Sequence, residues 1–206
     1  MEQSLTSKIT DNLWMIQIPD NEVSQHYAVQ TIPTWECDVN LFDAFTPTAM
    51  PDYLDFGVFW GQREFSPTEK AGFYSHLELW QLCYEQDKPI AVVEQDVVRV
   101  QRDMPIIGDF FAFADFDNYD EWQNYCTRFN GHPYWGGQGE ALCPVTHAYY
   151  MTPDVAETLF YTLSEQTLTK FVDDYMWEFM GQDKSKIVNY ASPIYYEDVG
   201  ATMIHA

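Results

Sequence analysis

The sequence predicts an α/β domain with a mainly parallel central sheet flanked by helices. Short apolar runs typical of strands alternate with longer segments of helical periodicity. The run from Ile90 to Val93 follows Pro89 and is apolar without alternation, as in a strand that a parallel sheet buries on both faces. Because 206 residues suffice for one domain with a substantial core, we expect a single domain over residues 1–206.

The first half of the chain supplies the strongest helix signal. Ser66 offers an N-cap hydroxyl, Pro67 suits the first helical position, and Glu69 lies three residues after the cap. Apolar side chains then recur at helical spacing at Phe73, Leu77, Trp80 and Tyr84. The other elements predicted here are strands at 13–18, 38–43 and 90–93 and a short helix at 24–30.

The second half continues the alternation after a glycine-rich loop at 130–139. Thr152 and Pro153 begin a helix, and Gly181 ends a later one that is predicted from residue 168 to 180. The predicted strands are 109–115 and 148–151, and 187–196 is a late strand or an extended tail.

The chain is strongly acidic, with 32 Asp and Glu residues against 10 Lys and Arg residues and a net charge of −22. This charge repels nucleic acids and anionic membranes, so we expect neither as a partner. The acids are spread along the chain, which favours a role in solubility or adaptation to salt. An acidic interaction protein that imitates DNA and inhibits a nucleic-acid enzyme is the alternative.

Composition and sequence pattern also indicate the cellular compartment of the protein. No apolar run approaches the ~20 residues that a membrane-spanning helix needs. The first residues do not have the pattern of a signal peptide. The four cysteines are widely spaced, so we expect free thiols and a cytoplasmic protein; they are Cys37, Cys83, Cys126 and Cys143.

Two carboxylates follow the buried strand at 90–93. Ligands of open α/β sheets bind just beyond the carboxyl ends of the strands. Glu94 and Asp96 are two residues apart, so on an extended chain they point to the same side. Two such carboxylates repel each other unless one is protonated or a cation lies between them. Because Mg²⁺ and Mn²⁺ prefer carboxylate oxygens, the pair indicates a metal and, through it, a phosphorylated ligand.

Three segments in order resemble glycosyltransferase family 25, the lipooligosaccharide biosynthesis-type glycosyltransferases. Residues 69–80 are similar to its E-x-x-x-x-x-SH-x-x-x-W helix, and residues 92–96 resemble its Glu-Asp-Asp strand end. Residues 146–156 look like its G-x-x-x-Y segment. The chain departs from the pattern at Gln95, where the family has an acid.

The resemblance implies a GT-A fold, which is Rossmann-like, and a hexosyltransferase-like activity. The donor would be a nucleotide-sugar, with a UDP-sugar expected, and the acceptor a hydroxyl group on a glycan. A divalent metal, Mn²⁺ or Mg²⁺, would be held by Asp96. His147 and His205 could each complete the metal site, and a histidine near the C-terminus, as in many GT-A enzymes, favours His205.

The resemblance also implies donor-site residues. Glu94 would face the nucleotide ribose, and Ser75 and His76 would contact the donor from the preceding helix. A hydrogen-bonded structural role for His76 is the alternative. Adjacent side chains on a helix diverge, so Ser75 and His76 are not a nucleophile and its base. Glu69 is a capping residue rather than a site residue.

The acceptor side is assigned to residues further along the chain. Asp173 and Asp174 are similar to the family's acid at that place, and one of them would take the proton of the acceptor hydroxyl. Trp135 could stack on an acceptor sugar, or its glycine-rich loop could be a mobile lid. Tyr149, in the third resembling segment, would contact substrate. A catalytically silent relative that binds a sugar or nucleotide is the alternative, with Gln95 as its signature.

Overall fold

The computed structural model describes the chain in segments, and none of the helices within them is long and apolar enough to cross a membrane. These segments are residues 12–50, 59–60, 65–99, 108–114, 144–164, 167–168, 172–180, 187–189 and 191–193. The glycine-rich loop at 130–139, including Trp135, and the C-terminal His205 lie outside them, as do Cys126 and Cys143.

Strands and helices alternate along the described residues. The first half contains β1 Leu13–Gln17, α1 Glu22–Thr31, a 3-10 turn Ile32–Trp35, β2 Val39–Asp43, β3 Phe59–Trp60, α2 Pro67–Gln86, β4 Ile90–Glu94 and β5 Val97–Arg99. The second half contains β6 Phe110–Ala114, α3 Pro144–His147, β7 Ala148–Met151, α4 Pro153–Ser164, β8 Thr167–Leu168, α5 Val172–Met180, β9 Ile187–Asn189 and β10 Ala191–Pro193.

The central sheet has the strand order β2-β1-β4-β7-β6-β9. Strands β2, β1 and β4 are mutually parallel, β7 runs antiparallel to both β4 and β6, and β9 is parallel to β6. Five of the six strands therefore run in one direction. The predicted α/β class with a mainly parallel sheet is confirmed, while the finer assignment to the GT-A fold stays a prediction.

Both faces of this sheet are covered, and β4 shows why its sequence is apolar without alternation. Ile90 and Val92 face a core that includes side chains of α2, α4 and α5, whereas Ala91 and Val93 face a second core with α1 and the 3-10 turn. All four residues are fully buried. A strand with an apolar layer on each side has no solvent face on which polar residues could alternate.

Two predicted helix starts differ from the structure by two residues or more. The helix predicted from residue 168 begins at Val172, because Thr167 and Leu168 form β8, which pairs in parallel with β3. This pairing is between residues far apart in sequence, so local periodicity does not reveal it. The first helix begins two residues earlier than predicted, since the Asn21 side chain accepts hydrogen bonds from the N–H groups of Val23 and Ser24.

The start of α2 has the predicted capping box. The Ser66 hydroxyl accepts from the Glu69 N–H at 3.2 Å, and the Glu69 carboxylate accepts from the Ser66 N–H at 2.6 Å. Pro67 occupies the first turn, as expected. The predicted capping role of Glu69 is confirmed, and the box fixes the beginning of the helix that carries Ser75 and His76.

Removal of the cap tests how much this helix start contributes to stability. Ser66→Ala should lower the free energy of unfolding by about 1 kcal/mol, because the Glu69 N–H loses its acceptor. Ser66→Thr, which keeps a hydroxyl group, is the matched control and should cost only a fraction of that. Urea unfolding measures both variants, and equal stability of Ser66→Ala and the unaltered protein would contradict the role of the cap.

Candidate functional site

A cavity of about 150 Å³ opens at the carboxyl ends of β1 and β4. The chain leaves β1 toward β2 on one side, whereas β4 adds to the other side of β1. The strand order therefore reverses between β1 and β4, and ligands of open α/β sheets bind at such a point. Because β7 is antiparallel, its amino end lies at the same edge of the sheet.

The cavity is almost free of charge. The described residues that line it are Ile16, Ile18, Asn21, Ala44, Phe45, Thr46, Pro47, Thr68, Ala71, Gly72, Ser75, His76, Glu94 and Gln95. Glu94 is the single acid or base among them apart from His76. The volume is below the ~300–1,000 Å³ of a pocket for a drug-sized ligand, so the cavity suits one ring rather than a whole nucleotide-sugar.

Ser75 holds one wall of the cavity in place. Its hydroxyl donates to the carbonyl oxygen of Ala71 and accepts from the N–H of Phe45, both at 2.9 Å. The second bond joins α2 to the loop that follows β2, so Ser75 positions Phe45 at the cavity. The predicted contact of Ser75 with a donor stays a prediction, and its position in the lining is compatible with it.

The chain turns directly after β4. The strand ends at Glu94, and Gln95 and Asp96 form a turn before β5. Asp96 therefore lies in a turn and not on the extended strand from which its orientation was predicted. The turn is held by the Thr31 hydroxyl, which donates to the Gln95 carbonyl oxygen at 2.7 Å, and by the Trp35 indole, which donates to the carbonyl oxygen of Val97 at 3.2 Å.

Glu94 is a buried carboxylate paired with a histidine. It is 6% exposed, and its Oε2 lies 2.9 Å from Nδ1 of His147. Burial by itself would raise the pKa of Glu94, but the charge and the hydrogen bond of His147 outweigh it and hold the pKa below its ordinary value. His147 was the less favoured of the two predicted metal-site histidines, and the structure places it against Glu94.

Asp96 has the opposite environment. Its Oδ1 is buried without a hydrogen-bond partner. Burial and then the charge of Glu94 raise its pKa to about 6. An unpartnered carboxylate oxygen beside a second carboxylate fits a cation, and Mg²⁺ is commonly held by one or two carboxylates together with substrate phosphates.

A complete metal site is not visible within the described segments. No group of three or more His, Cys, Asp or Glu side chains there could hold a metal ion. Asp96 offers one carboxylate that could hold a cation, and its role as a metal ligand stays a prediction. The prediction for His205 concerns a residue outside the described segments.

His76 belongs to the cavity lining and is buried among aromatic side chains. Its Nδ1 lies 2.9 Å from the Tyr149 hydroxyl, which also accepts from the Trp80 indole N–H at 3.0 Å. Burial lowers the pKa of His76 to about 4, so the ring is neutral at physiological pH. Tyr149 is fully buried, and its predicted contact with substrate stays a prediction; its hydroxyl is used by His76 and Trp80.

Asp173 and Asp174 lie in the first turn of α5. The backbone of this helix contacts α3, the short helix that ends at His147. The side chains of both aspartates are outside the described part of the structure, so their catalytic role stays a prediction. The helix itself is anchored by Met176, which is buried, and by Tyr175, whose ring meets Phe73 edge-on at 6.3 Å.

The comparison with protein families gives a match to the model of glycosyltransferase family 25 (LPS biosynthesis protein) over residues 15–132. This range is more than half of the 206 residues. The chain belongs to glycosyltransferase family 25. The matched part of this family 25 member includes every described residue that lines the cavity.

Family membership supports a glycosyltransferase with a sugar donor and an acceptor, and it confirms the resemblance predicted from the sequence. None of the curated proteins compared with the chain matches it. The sequence did not predict the wall formed by Ala44 to Pro47. The position of this wall could have been inferred from the end of β2. Because β1 and β2 are parallel neighbours, their carboxyl ends lie at the same edge of the sheet.

The raised pKa of Asp96 predicts a specific pH dependence of stability. Between its ordinary pKa of 3.8 and about 6, the unfolded chain ionises first, so the contribution of Asp96 to stability falls as the pH rises. Asp96→Asn cannot ionise and should be more stable than the unaltered protein at about pH 7.5, by on the order of 1–3 kcal/mol. The difference should shrink at about pH 5.

Urea unfolding in a buffer that contains a chelator measures this difference without interference from metal ions. Glu157→Gln is the control, because Glu157 is an exposed residue on α4 and its substitution should change stability little at either pH. A destabilised Asp96→Asn variant at about pH 7.5 would show that the Asp96 carboxylate has a favourable partner in the metal-free protein.

Proposed function

We propose that this family 25 member transfers a sugar from a nucleotide-sugar donor to a hydroxyl group of a glycan, with the aid of a divalent cation. The observation that carries the proposal is the cavity between β1 and β4, whose lining includes Gln95, the residue before Asp96 with its unpartnered carboxylate oxygen. A cavity with a single carboxylate suits a ring of the donor, and we propose that Asp96 lies toward its phosphates. A UDP-sugar is the expected donor.

The residues of the cavity would bind and orient the donor. Glu94 is held in place by His147 and has carboxylate oxygens that can accept hydrogen bonds from ribose hydroxyls. The Phe45 ring belongs to the lining and supplies apolar surface for a planar ring. The limited volume of the cavity would exclude water around the bound ring, which strengthens these hydrogen bonds.

The negative charge of the leaving nucleoside diphosphate supports the divalent cation in this proposal. When bound, a divalent cation offsets the negative charge that develops on the leaving nucleoside diphosphate. The chain has only 10 Lys and Arg residues, and the described lining of the cavity contains neither. Asp96 would hold the cation together with phosphate oxygens, and His205 is the predicted further ligand.

Transfer also requires a base for the acceptor. The acceptor hydroxyl forms a bond to the anomeric carbon as the bond to the diphosphate breaks, and its proton must move to a nearby group. A carboxylate is suited to this task. We assign it to Asp173 or Asp174, because they lie in the first turn of α5, and α5 contacts α3, the short helix that ends at His147. Trp135 is the proposed stacking surface for the acceptor sugar.

The net charge of the protein favours some classes of acceptor over others. A net charge of −22 disfavours a nucleic-acid acceptor, so an uncharged or weakly charged glycan is the proposed one. Family membership supports an acceptor in lipopolysaccharide biosynthesis. A cytoplasmic location stays a prediction from the sequence.

A catalytically silent relative is the second candidate, and Gln95 favours it. The family pattern has an acid at this position, and the Gln95 side chain is 5% exposed in the cavity lining. Such a relative would bind a sugar or a nucleotide without transferring the sugar. A transfer assay with a radiolabelled donor and a mixture of glycan acceptors distinguishes the two candidates, since only the enzyme forms a labelled product.

Donor binding is the first prediction of the proposal. A thermal-shift screen of UDP-sugars and UDP with Mn²⁺ should raise the melting temperature, because a ligand that binds the folded state stabilises it. Asp96→Ala should remove the part of the shift that depends on Mn²⁺. The Mn²⁺ effect should remain in the exposed-residue control Glu157→Gln, and equal binding with and without Mn²⁺ in the unaltered protein would contradict the metal site.

The proposed catalytic base leads to a prediction for the transfer rate and not for donor binding. Asp173→Asn and Asp174→Asn should both leave UDP-sugar binding within about twofold, while one of them lowers the transfer rate by about 10²–10⁴-fold. The other variant serves as the matched control for charge and position. Full activity in both variants would exclude this helix as the source of the base.

A further inference from the structure

Three buried polar side chains form a chain of hydrogen bonds behind the cavity. The indole N–H of Trp80 donates to the Tyr149 hydroxyl at 3.0 Å, and this hydroxyl lies 2.9 Å from Nδ1 of His76. Trp80 and Tyr149 are fully buried, and His76 is 4% exposed. Of the three, His76 lines the cavity, so the chain leads from the core to the site.

The position of each proton in this series of hydrogen bonds follows from counting the donors and acceptors. The Trp80 indole is only a donor, so Tyr149 must accept from it. If His76 carried its proton on Nδ1, the Tyr149 hydroxyl would accept twice, and its own proton would have no acceptor within the described structure. A buried donor without an acceptor destabilises the folded protein, because it has lost its hydrogen bonds to water. This unpaired donor is avoided when the Tyr149 hydroxyl donates to an unprotonated Nδ1 of His76.

We infer that Tyr149 is a positioning residue that, together with Trp80, fixes neutral His76 in the form protonated on Nε2. The cavity then has a hydrogen-bond donor of fixed orientation on its His76 wall. Burial supports the neutral state, because it lowers the pKa of His76 to about 4. The identity of the ligand, a nucleotide-sugar, rests on the proposed function, whereas the position of the proton does not.

The Nε2–H group selects the part of the ligand that can bind beside it. It requires an acceptor oxygen, such as a carbonyl group of a base or a hydroxyl group of a sugar. The Gln95 carboxamide in the same lining can donate or accept as well. A neutral ring that carries oxygen atoms satisfies both residues. A cationic ring with only donors at this edge would leave Nε2–H unpaired.

The first experiment determines the protonated nitrogen of His76 in the unaltered protein. Nitrogen NMR of uniformly labelled protein at about pH 7.5 identifies which ring nitrogen of each histidine carries the proton. The signals of His76 are assigned by their absence in His76→Gln. Protonation on Nε2 in the ligand-free protein supports the inference. Protonation on Nδ1, or an even mixture of the two forms, would overturn it whatever the protein binds.

The second experiment uses two adjacent tyrosines. Tyr149→Phe removes the hydroxyl from the chain, so His76 should become a mixture of both protonated forms. Affinity for a UDP-sugar should fall about tenfold, because one hydrogen bond is no longer preformed. Tyr150→Phe is the matched control, since the Tyr150 hydroxyl is buried without a partner and its ring stacks on Phe111. It should change neither the NMR signals of His76 nor the affinity.

Conservative variants and two ligands separate the remaining possibilities. His76→Gln keeps an N–H donor near the position of Nε2 and should retain donor affinity within about threefold, whereas His76→Asn should lose about tenfold. Equal losses for UDP and a UDP-sugar in Tyr149→Phe indicate that the base or ribose binds at His76. A loss for the UDP-sugar alone indicates its sugar ring. Unchanged affinity for both ligands in Tyr149→Phe would refute the positioning role.

Failure of the proposed function is distinguishable from failure of this inference. If no nucleotide-sugar binds and Nε2 carries the proton, the donor site is wrong and the role of Tyr149 stands. If nucleotide-sugars bind and Nδ1 carries the proton, the proposed function stands and the role of Tyr149 is wrong.

Discussion

The pairing of Glu94 with His147 is the interaction on which the arrangement of the site depends. Strand β4 is buried on both faces, and its last residue brings a carboxylate to a position that is 6% exposed. A buried carboxylate without a partner carries a large desolvation cost. His147 meets this need only because β7 runs antiparallel to β4, with Ala148 opposite Val93, so that the residue before β7 meets the residue after Val93. The one antiparallel strand of the sheet thus serves the site directly.

Much of the framework around this pair was predictable because its signals are local. The capping box at Ser66, the apolar run of β4 and the alternation of strands and helices each depend on residues close in sequence. The contacts that make the site are not local. The hydrogen bond between Glu94 and His147 joins residues 53 positions apart, and the bond between His76 and Tyr149 spans 73. The sequence suggested His76, His147 and Tyr149 as site residues, but it did not show that His76 and Tyr149 form a hydrogen bond with each other.

The turn at Gln95 and Asp96 shows how tertiary contacts can override a local pattern. Alternation along an extended chain predicted equivalent positions for Glu94 and Asp96. The bond from the Thr31 hydroxyl to the Gln95 carbonyl oxygen instead stabilises a turn, and it comes from the end of α1 on the opposite face of the sheet from α2. The two carboxylates consequently differ: His147 lowers the pKa of Glu94, while burial and the charge of Glu94 raise that of Asp96. The structure thus gives the first carboxylate a histidine partner and leaves an oxygen of the second without one.

The same electrostatics give a physical reason for Gln95. An acid at this position would add a carboxylate to a cavity lining that is 5% exposed there, next to Glu94 and beside Asp96, whose ionisation is already disfavoured. In a protein with a net charge of −22, few nearby cations could offset that charge. A carboxamide keeps the size and the hydrogen-bonding capacity of the side chain without its charge. The change thus adds no second carboxylate to the cavity where a ring would bind and keeps both flanking carboxylates, which is compatible with a working transferase and not only with a silent relative.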